Sequence, residues 1–248
     1  MARRRIRDTV SAAFDRLGYE IRRRRPPRWG DEAYGDQRRL LEGRPVDVVL
    51  DVGANGGDTT HQYRTLFPSA TIHAFEPFPD VHRQLAERFA ADPRIRAHQL
   101  AVTNAPGARR FYVNDAHVTN SLLPHNPASV EWAGASREGL GRTIDVRAVT
   151  LDEFCRAEGL ARIDLLKMDI QGGEAMALAG AARLLSEQAI RLIYTEVLFA
   201  PLYEGQAYFC DVSATLAGHG YQLFGLYNLM QDERGLGWAD AIFRPCQL

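Results

Sequence analysis

Val48-Val49-Leu50-Asp51-Val52-Gly53-Ala54-Asn55-Gly56-Gly57-Asp58 is the stretch on which the reading of this 248-residue chain turns. Val48, Val49 and Leu50 form an apolar, β-branched run, the pattern of a strand buried on both faces. Asp51 closes that strand. Gly53, Gly56 and Gly57 then let the backbone approach a ligand without Cβ clashes. Asp58, Thr59 and Thr60 open a helix predicted to reach about Phe67, so its unsatisfied first-turn N–H groups face the same crevice. Strand, glycine turn and helix N-terminus make the first βα unit of a nucleotide-binding α/β sheet.

The glycine spacing narrows the ligand. Dinucleotide sites use G-x-G-x-x-G, and Ala54-Asn55 breaks that pattern, which disfavours a nicotinamide-dependent oxidoreductase. S-adenosylmethionine (SAM) carries no pyrophosphate and presents an ammonium and a carboxylate instead. Asp51 suits the ammonium, and the turn amides of Gly53, Asn55, Gly56 and Gly57 suit the carboxylate. A second stretch, His73-Ala74-Phe75-Glu76-Pro77, ends a strand in an acid 25 residues after Asp51. A carboxylate there accepts hydrogen bonds from ribose hydroxyls. Pro77 is expected to stop the strand and begin the next helix, which carries Val81, Leu85 and Phe89. The third stretch, Leu165-Leu166-Lys167-Met168-Asp169-Ile170-Gln171-Gly172-Gly173-Glu174, repeats the order of strand, glycine turn and helix. It contains Lys167, the single lysine of the sequence. Asp169 falls at the carboxyl end of the strand, where open α/β sheets bind ligands.

In their order and separation the three stretches resemble the FkbM family of SAM-dependent methyltransferases, a similarity spanning Pro45 to Phe243. Gln171 stands where that family usually has glutamate. Asn120-Ser121-Leu122 also resembles a short motif of the family, which puts the segment around it near the site. The resemblance implies a Rossmann-like class I methyltransferase fold that transfers methyl to hydroxyl groups of natural products or glycans. The alternative is a non-catalytic SAM-binding scaffold, with the oxidoreductase third.

Hydroxyl acceptors are poor nucleophiles until a base relieves them of a proton. Asp169 is the candidate base or acceptor-orienting group, with Glu174 and Glu196 near it in the expected topology. Three convergent carboxylates also leave a divalent cation such as magnesium open. His61, His73, His117 and His125 are further candidate bases, with His73 read as a packed strand residue.

A net charge of −1 gives no pull toward nucleic acid, and no stretch approaches the apolar length of a transmembrane helix. Cys155, Cys210 and Cys246 show neither disulfide nor zinc spacing, which fits a reducing, cytoplasmic setting. Asp8, Asp15 and Arg16 interrupt any apolar leader. The partner expected is therefore a small hydroxylated molecule, and a homo-oligomer is left open. Strands are predicted at 46–51, 70–75, 95–102, 163–169, 190–196, 220–226 and 239–244. Helices are predicted at 58–67, 78–91, 150–158, 173–186 and 206–218. This alternation gives an α/β fold with a mostly parallel seven-stranded sheet and helices on both faces. Phe111–Val113 and Thr143–Val149 read as a flanking hairpin. Residues 1–44 read as a basic, amphipathic helical segment, 45–248 as the methyltransferase domain and 114–142 as a substrate lid.

Overall fold

The computed structural model describes residues 28–114, 117–127 and 142–246. Seven strands form the main sheet: β1 (Val48–Val52), β2 (Thr71–Phe75), β3 (Ile95–His98), β7 (Leu165–Met168), β8 (Ile193–Leu198), β9 (Tyr221–Asp232) and β10 (Gly235–Pro245). Their order is β3-β2-β1-β7-β8-β10-β9. β3, β2, β1, β7 and β8 run parallel, and β10 lies antiparallel between β8 and β9. The order reverses at β1, with β2 on one side and β7 on the other. That switch point opens a crevice beyond the strand carboxyl ends.

Alternation along the strands explains why both faces are covered. Leu50, Val52, Leu166, Met168 and Ile193 pack on one face under α4 (Leu151–Ala157), α5 (Glu174–Ala179), α6 (Ala182–Ser186) and α7 (Phe209–Gly218). Val49, Ile72, Leu165, Leu192 and Tyr194 point to the other face, where Tyr63 and Phe67 of α2 (Asp58–Leu66) and its C-cap join them. α3 (Pro79–Arg88) follows β2, and Pro79 occupies its first turn. Pro77 therefore ends the strand but does not begin the helix. Thr150 caps α4, its hydroxyl accepting the Glu153 N–H at 3.1 Å.

Two elements expected to be continuous are divided. The single strand over 95–102 is two, because β4 (Ala101–Val102) leaves β3 and joins a second sheet of order β4-β6-β5. β5 (Gly107–Val113) and β6 (Arg142–Val149) are the predicted hairpin, antiparallel from Gly107↔Ala148 to Val113↔Arg142. The helix over 173–186 breaks between α5 and α6 at Gly180, where a Cβ would meet the Thr103 carbonyl oxygen at 2.2 Å. Only glycine permits that approach.

At the amino end, α1 (Ala33–Leu40) belongs to the folded unit, although the sequence reading set residues 1–44 apart. Ala33 and Leu41 are buried with Tyr63 and Tyr194. Fully buried Asp36 accepts from Tyr227 Oη at 2.7 Å and from the Gly30 N–H at 2.6 Å, and pairs with Arg39. Residues 1–27 of the expected basic segment lie outside the described residues. A second buried acid, Asp164, accepts the N–H groups of Asp47 (2.7 Å) and Val48 (3.0 Å) and pairs with Arg191 at 2.8 Å. It thereby registers the start of β7 against the start of β1.

Candidate active site

A cavity of about 370 Å³ opens at the carboxyl ends of β1, β2 and β7. Gly53, Ala54, Asn55 and Gly56 form one wall, Glu76 and Pro77 a second, and Lys167, Asp169, Ile170 and Gln171 a third. Leu100, Phe111, His117, Val118, Asn120 and Leu122 complete it with a largely apolar side. Leu122 and its neighbour Asn120 thus face the site, as the resemblance placed them. Residues 128–141 of the expected lid lie outside the described residues.

Two turns build the polar side, and they touch. Gly53 has φ of +78°, and a Cβ there would stand 1.9 Å from the carbonyl oxygen of Asp169. Any larger residue would push the β1 and β7 turns apart before it reached a ligand. The two strands also share a buried ion pair. Lys167 Nζ lies 3.0 Å from Asp51 Oδ1 and donates to the Gly53 carbonyl at 2.8 Å. The other Asp51 oxygen accepts from Thr60 Oγ1 at 2.6 Å. Burial alone would lower the Lys167 pKa, but the carboxylates of Asp51 and Asp169 outweigh it and raise the ammonium above its ordinary value. Lys167 is therefore a fixed cation and not a base. Asp51, read from sequence as the receptor of a cofactor ammonium, lies beneath the wall with Lys167 as its cation.

The glycine turn also spends its own donors. Gly53 and Ala54 N–H both donate to the Phe75 carbonyl (3.1 and 2.9 Å), and Gly57 N–H donates to Ala54 (2.9 Å). Asn55 N–H donates to Glu76 Oε2 at 3.1 Å, and Gly56 N–H to the Asn55 side chain at 2.6 Å. Gly57, with φ of +89°, is the N-cap of α2 and is not part of the cavity wall. Arg88 of α3 binds the Gly56 carbonyl at 2.7 Å and Asp58 at 2.6 Å.

Glu76 is buried in the second wall, its two oxygens accepting from the N–H groups of Asn55 and Phe78 (2.9 Å). Each oxygen keeps further acceptor capacity. Burial pushes its pKa up to about 6, against the lowering effect of the two amides and of Lys167. A Cβ on Gly56 would meet nothing within 4 Å. An open cradle beside a buried carboxylate at the end of β2 fits the adenosine moiety of SAM.

Residues 51–223 match the Methyltransferase FkbM domain family. The chain belongs to that family. It is similar to the 2-O-methyltransferase NoeI of Sinorhizobium fredii, 33% identical over 67% of this chain and 69% of that protein. It is also similar to the 31-O-demethyl-FK506 methyltransferase FkbM of Streptomyces tacrolimicus, at 32% identity over 74% and 76% of the two chains. As an FkbM methyltransferase the protein is a SAM-dependent enzyme, and the motifs read from its sequence are those that surround the cavity.

Beyond the cofactor cradle, the FkbM domain gathers carboxylates at the ends of β7 and β8. Asp169 lines the cavity. Glu174 is buried at the start of α5 and folds back on its own turn, accepting the Ile170 N–H at 2.8 Å. Burial, partly offset by that amide, pushes its pKa up to about 7. Glu196 is half-buried; burial, then the nearby Asp169 and Glu174, drive its pKa well above the ordinary range. Neither Glu174 nor Glu196 is in the cavity wall. Among the described residues no group of three His, Cys, Asp or Glu side chains is arranged to hold a metal ion. His73 is stacked on His98 in the core, with burial lowering its pKa to about 4. His117 lines the cavity, and His125 packs against the Tyr203 ring.

Sequence reasoning missed Arg88, one of many arginines on an ordinary helix face, and Tyr203, which lies in an irregular segment. Lys167 was conspicuous by composition, but nothing in the sequence tied it to Asp51.

Proposed function

We propose that the enzyme transfers the methyl group of SAM to a hydroxyl of a small natural product or glycan, with Asp169 as the group that meets the acceptor. The observation that carries this reading is the position of Asp169. It stands in the wall shared with the cofactor cradle, directly after β7, the strand beside β1 and its glycine turn. Bound SAM supplies an electrophilic methyl on a sulfonium.

The protein's task is to hold the two reactants close and remove a proton. Glu76 would accept the ribose hydroxyls. The amides of residues 53–57 are internally used, so the carboxylate of the amino-acid head is assigned to the first-turn amides of Asp58 and Thr59. A helix leaves such groups without intrahelical partners. Asp169 orients the acceptor hydroxyl and takes its proton. Glu174 supports the turn from behind, and burial with the neighbouring acids favours the neutral form of Glu196, which limits repulsion within the acidic group. Asn120 and Leu122 fit the lid role assigned to their segment. With free Cys155, Cys210 and Cys246 the enzyme suits the reducing cytoplasm. No helix among the described residues is long and apolar enough to cross a membrane.

The test is incubation with 13C-methyl-labelled SAM and a panel of hydroxylated glycosides and macrolides, with and without magnesium. A new methyl-ether carbon signal supports the reading. Methyl transfer only to nitrogen, sulfur or carbon acceptors overturns it.

A further inference from the structure

The side chain of Gln171 has every polar atom engaged, and its partners are the carboxylates just described. Its amide nitrogen donates to Asp169 Oδ1 at 2.7 Å and to Glu196 Oε2 at 3.2 Å. Its carbonyl accepts from Tyr203 Oη at 2.7 Å. An NH2 group has two hydrogens, so the two carboxyl groups use both. The phenol fixes which end of the amide faces them. The backbone is held as well: Gln171 has φ of +56°, uncommon for a residue with a side chain, and its carbonyl accepts from Ser121 Oγ at 2.7 Å. Ser121 in turn accepts the Leu123 N–H at 2.9 Å and bridges to Tyr112 of β5. The hairpin thus braces the strained turn.

We propose that Gln171 is a positioning residue for methyl transfer, giving one amide hydrogen each to Asp169 and Glu196 so that the Asp169 carboxylate is held in place at the cavity wall. The inference rests on the hydroxyl-acceptor reading of Asp169 and extends it to Gln171, which stands where the FkbM family usually has glutamate. Glutamate in this place keeps the length and the acceptor for Tyr203 but offers no hydrogen to either neighbour. It would add another carboxylate to Asp169, Glu174 and Glu196, with Asp240 of β10 also acting on Glu196 and Lys167 the balancing cation. Tyr203 is itself pushed above its ordinary value, by burial first and then by these acids, so it remains a donor. Tyr194, which donates to Asp240 Oδ2 at 2.7 Å, is likewise raised and neutral. Loss of the amide hydrogens therefore favours proton uptake by the cluster.

The experiment compares wild type, Gln171→Glu and Tyr203→Phe, each labelled with 13C at aspartate and glutamate carboxyls and carrying bound SAM. The Asp169 signal is assigned by its loss in Asp169→Asn. In Gln171→Glu the Asp169 carboxyl should protonate at a pH higher by about one unit or more. The acid limb of kcat should move upward by the same amount, while KM for SAM stays unchanged. Tyr203→Phe, which frees the amide to turn, should shift both in the same direction by less. It also serves as the readout where Gln171→Glu does not fold. A role confined to packing predicts a fall in kcat with no displacement along the pH axis and an unmoved Asp169 signal, and that result overturns the proposal. Should the wild type methylate no hydroxyl in the panel, the reaction assignment fails, while the carboxyl titration still decides the role of Gln171.

Discussion

At Glu76, burial and the proposed contact with the ribose of SAM meet in one side chain. Its carboxylate is removed from water and held by two backbone amides. Replacing it with glutamine removes a charge-assisted acceptor worth about 1.5–3 kcal/mol. Titration calorimetry should show SAM affinity reduced by about 10- to 100-fold in Glu76→Gln, with the fold intact. The pH dependence has a definite sign. Only the ionised form accepts two hydroxyl donors, and burial has raised the pKa to about 6. Affinity should therefore be highest above pH 6 and weaken as pH falls through it, and Glu76→Gln should lose that dependence. Unchanged affinity in the variant would remove Glu76 from the cofactor site. Lys167 calls for a different measurement, because its partner is fully buried. Lys167→Met leaves Asp51 as an uncompensated internal charge, which typically costs about 3–5 kcal/mol. A denaturant midpoint close to wild type would show that the Asp51–Lys167 pair does not hold β1 to β7.

At the scale of elements, much was legible because local pattern and final environment agree. Val48–Leu50 read as a doubly buried strand and is one, with Val49 and Leu50 fully buried. Where the two disagreed, a distant contact decided. Nothing near Gly180 in sequence reveals that the Thr103 carbonyl lies against it, so a continuous helix was expected where α5 and α6 separate. The division of 95–102 depends on which neighbour offers hydrogen bonds, β2 for Ile95–His98 and β6 for Ala101–Val102. The site followed the same rule. Asp51, Glu76 and Asp169 were visible as strand-end acids, but the pairing of Asp51 with Lys167 under the wall joins residues 116 positions apart in the chain. The α1 helix gives a testable consequence. A chain starting at residue 28 should keep the thermal midpoint and SAM affinity of the full chain. One starting at residue 45 loses Asp36 and the burial of Ala33 and Leu41, and should unfold at least several degrees lower. Equal midpoints for the two truncations would place α1 outside the cooperative unit.

For the whole molecule, the sheet's switch point joins two half-sites that come from different halves of the sequence. The proposed cofactor cradle comes from β1 and β2, and the proposed acceptor carboxylate follows β7, whose turn touches the glycine turn at Gly53. Contact between the turns sets the reach of Asp169 toward a group held by Glu76, so methyl transfer and cofactor binding should separate cleanly by mutation. The decisive measurement is single-turnover transfer of 13C-methyl from saturating SAM to a hydroxyl acceptor by wild type and Asp169→Asn, with SAM affinity measured on the same samples. Asp169→Asn should transfer the methyl about 10² to 10⁴-fold more slowly while binding SAM almost as tightly. Near-normal transfer by that variant at saturating acceptor would contradict the assignment of Asp169, and with it the account of how this cavity works.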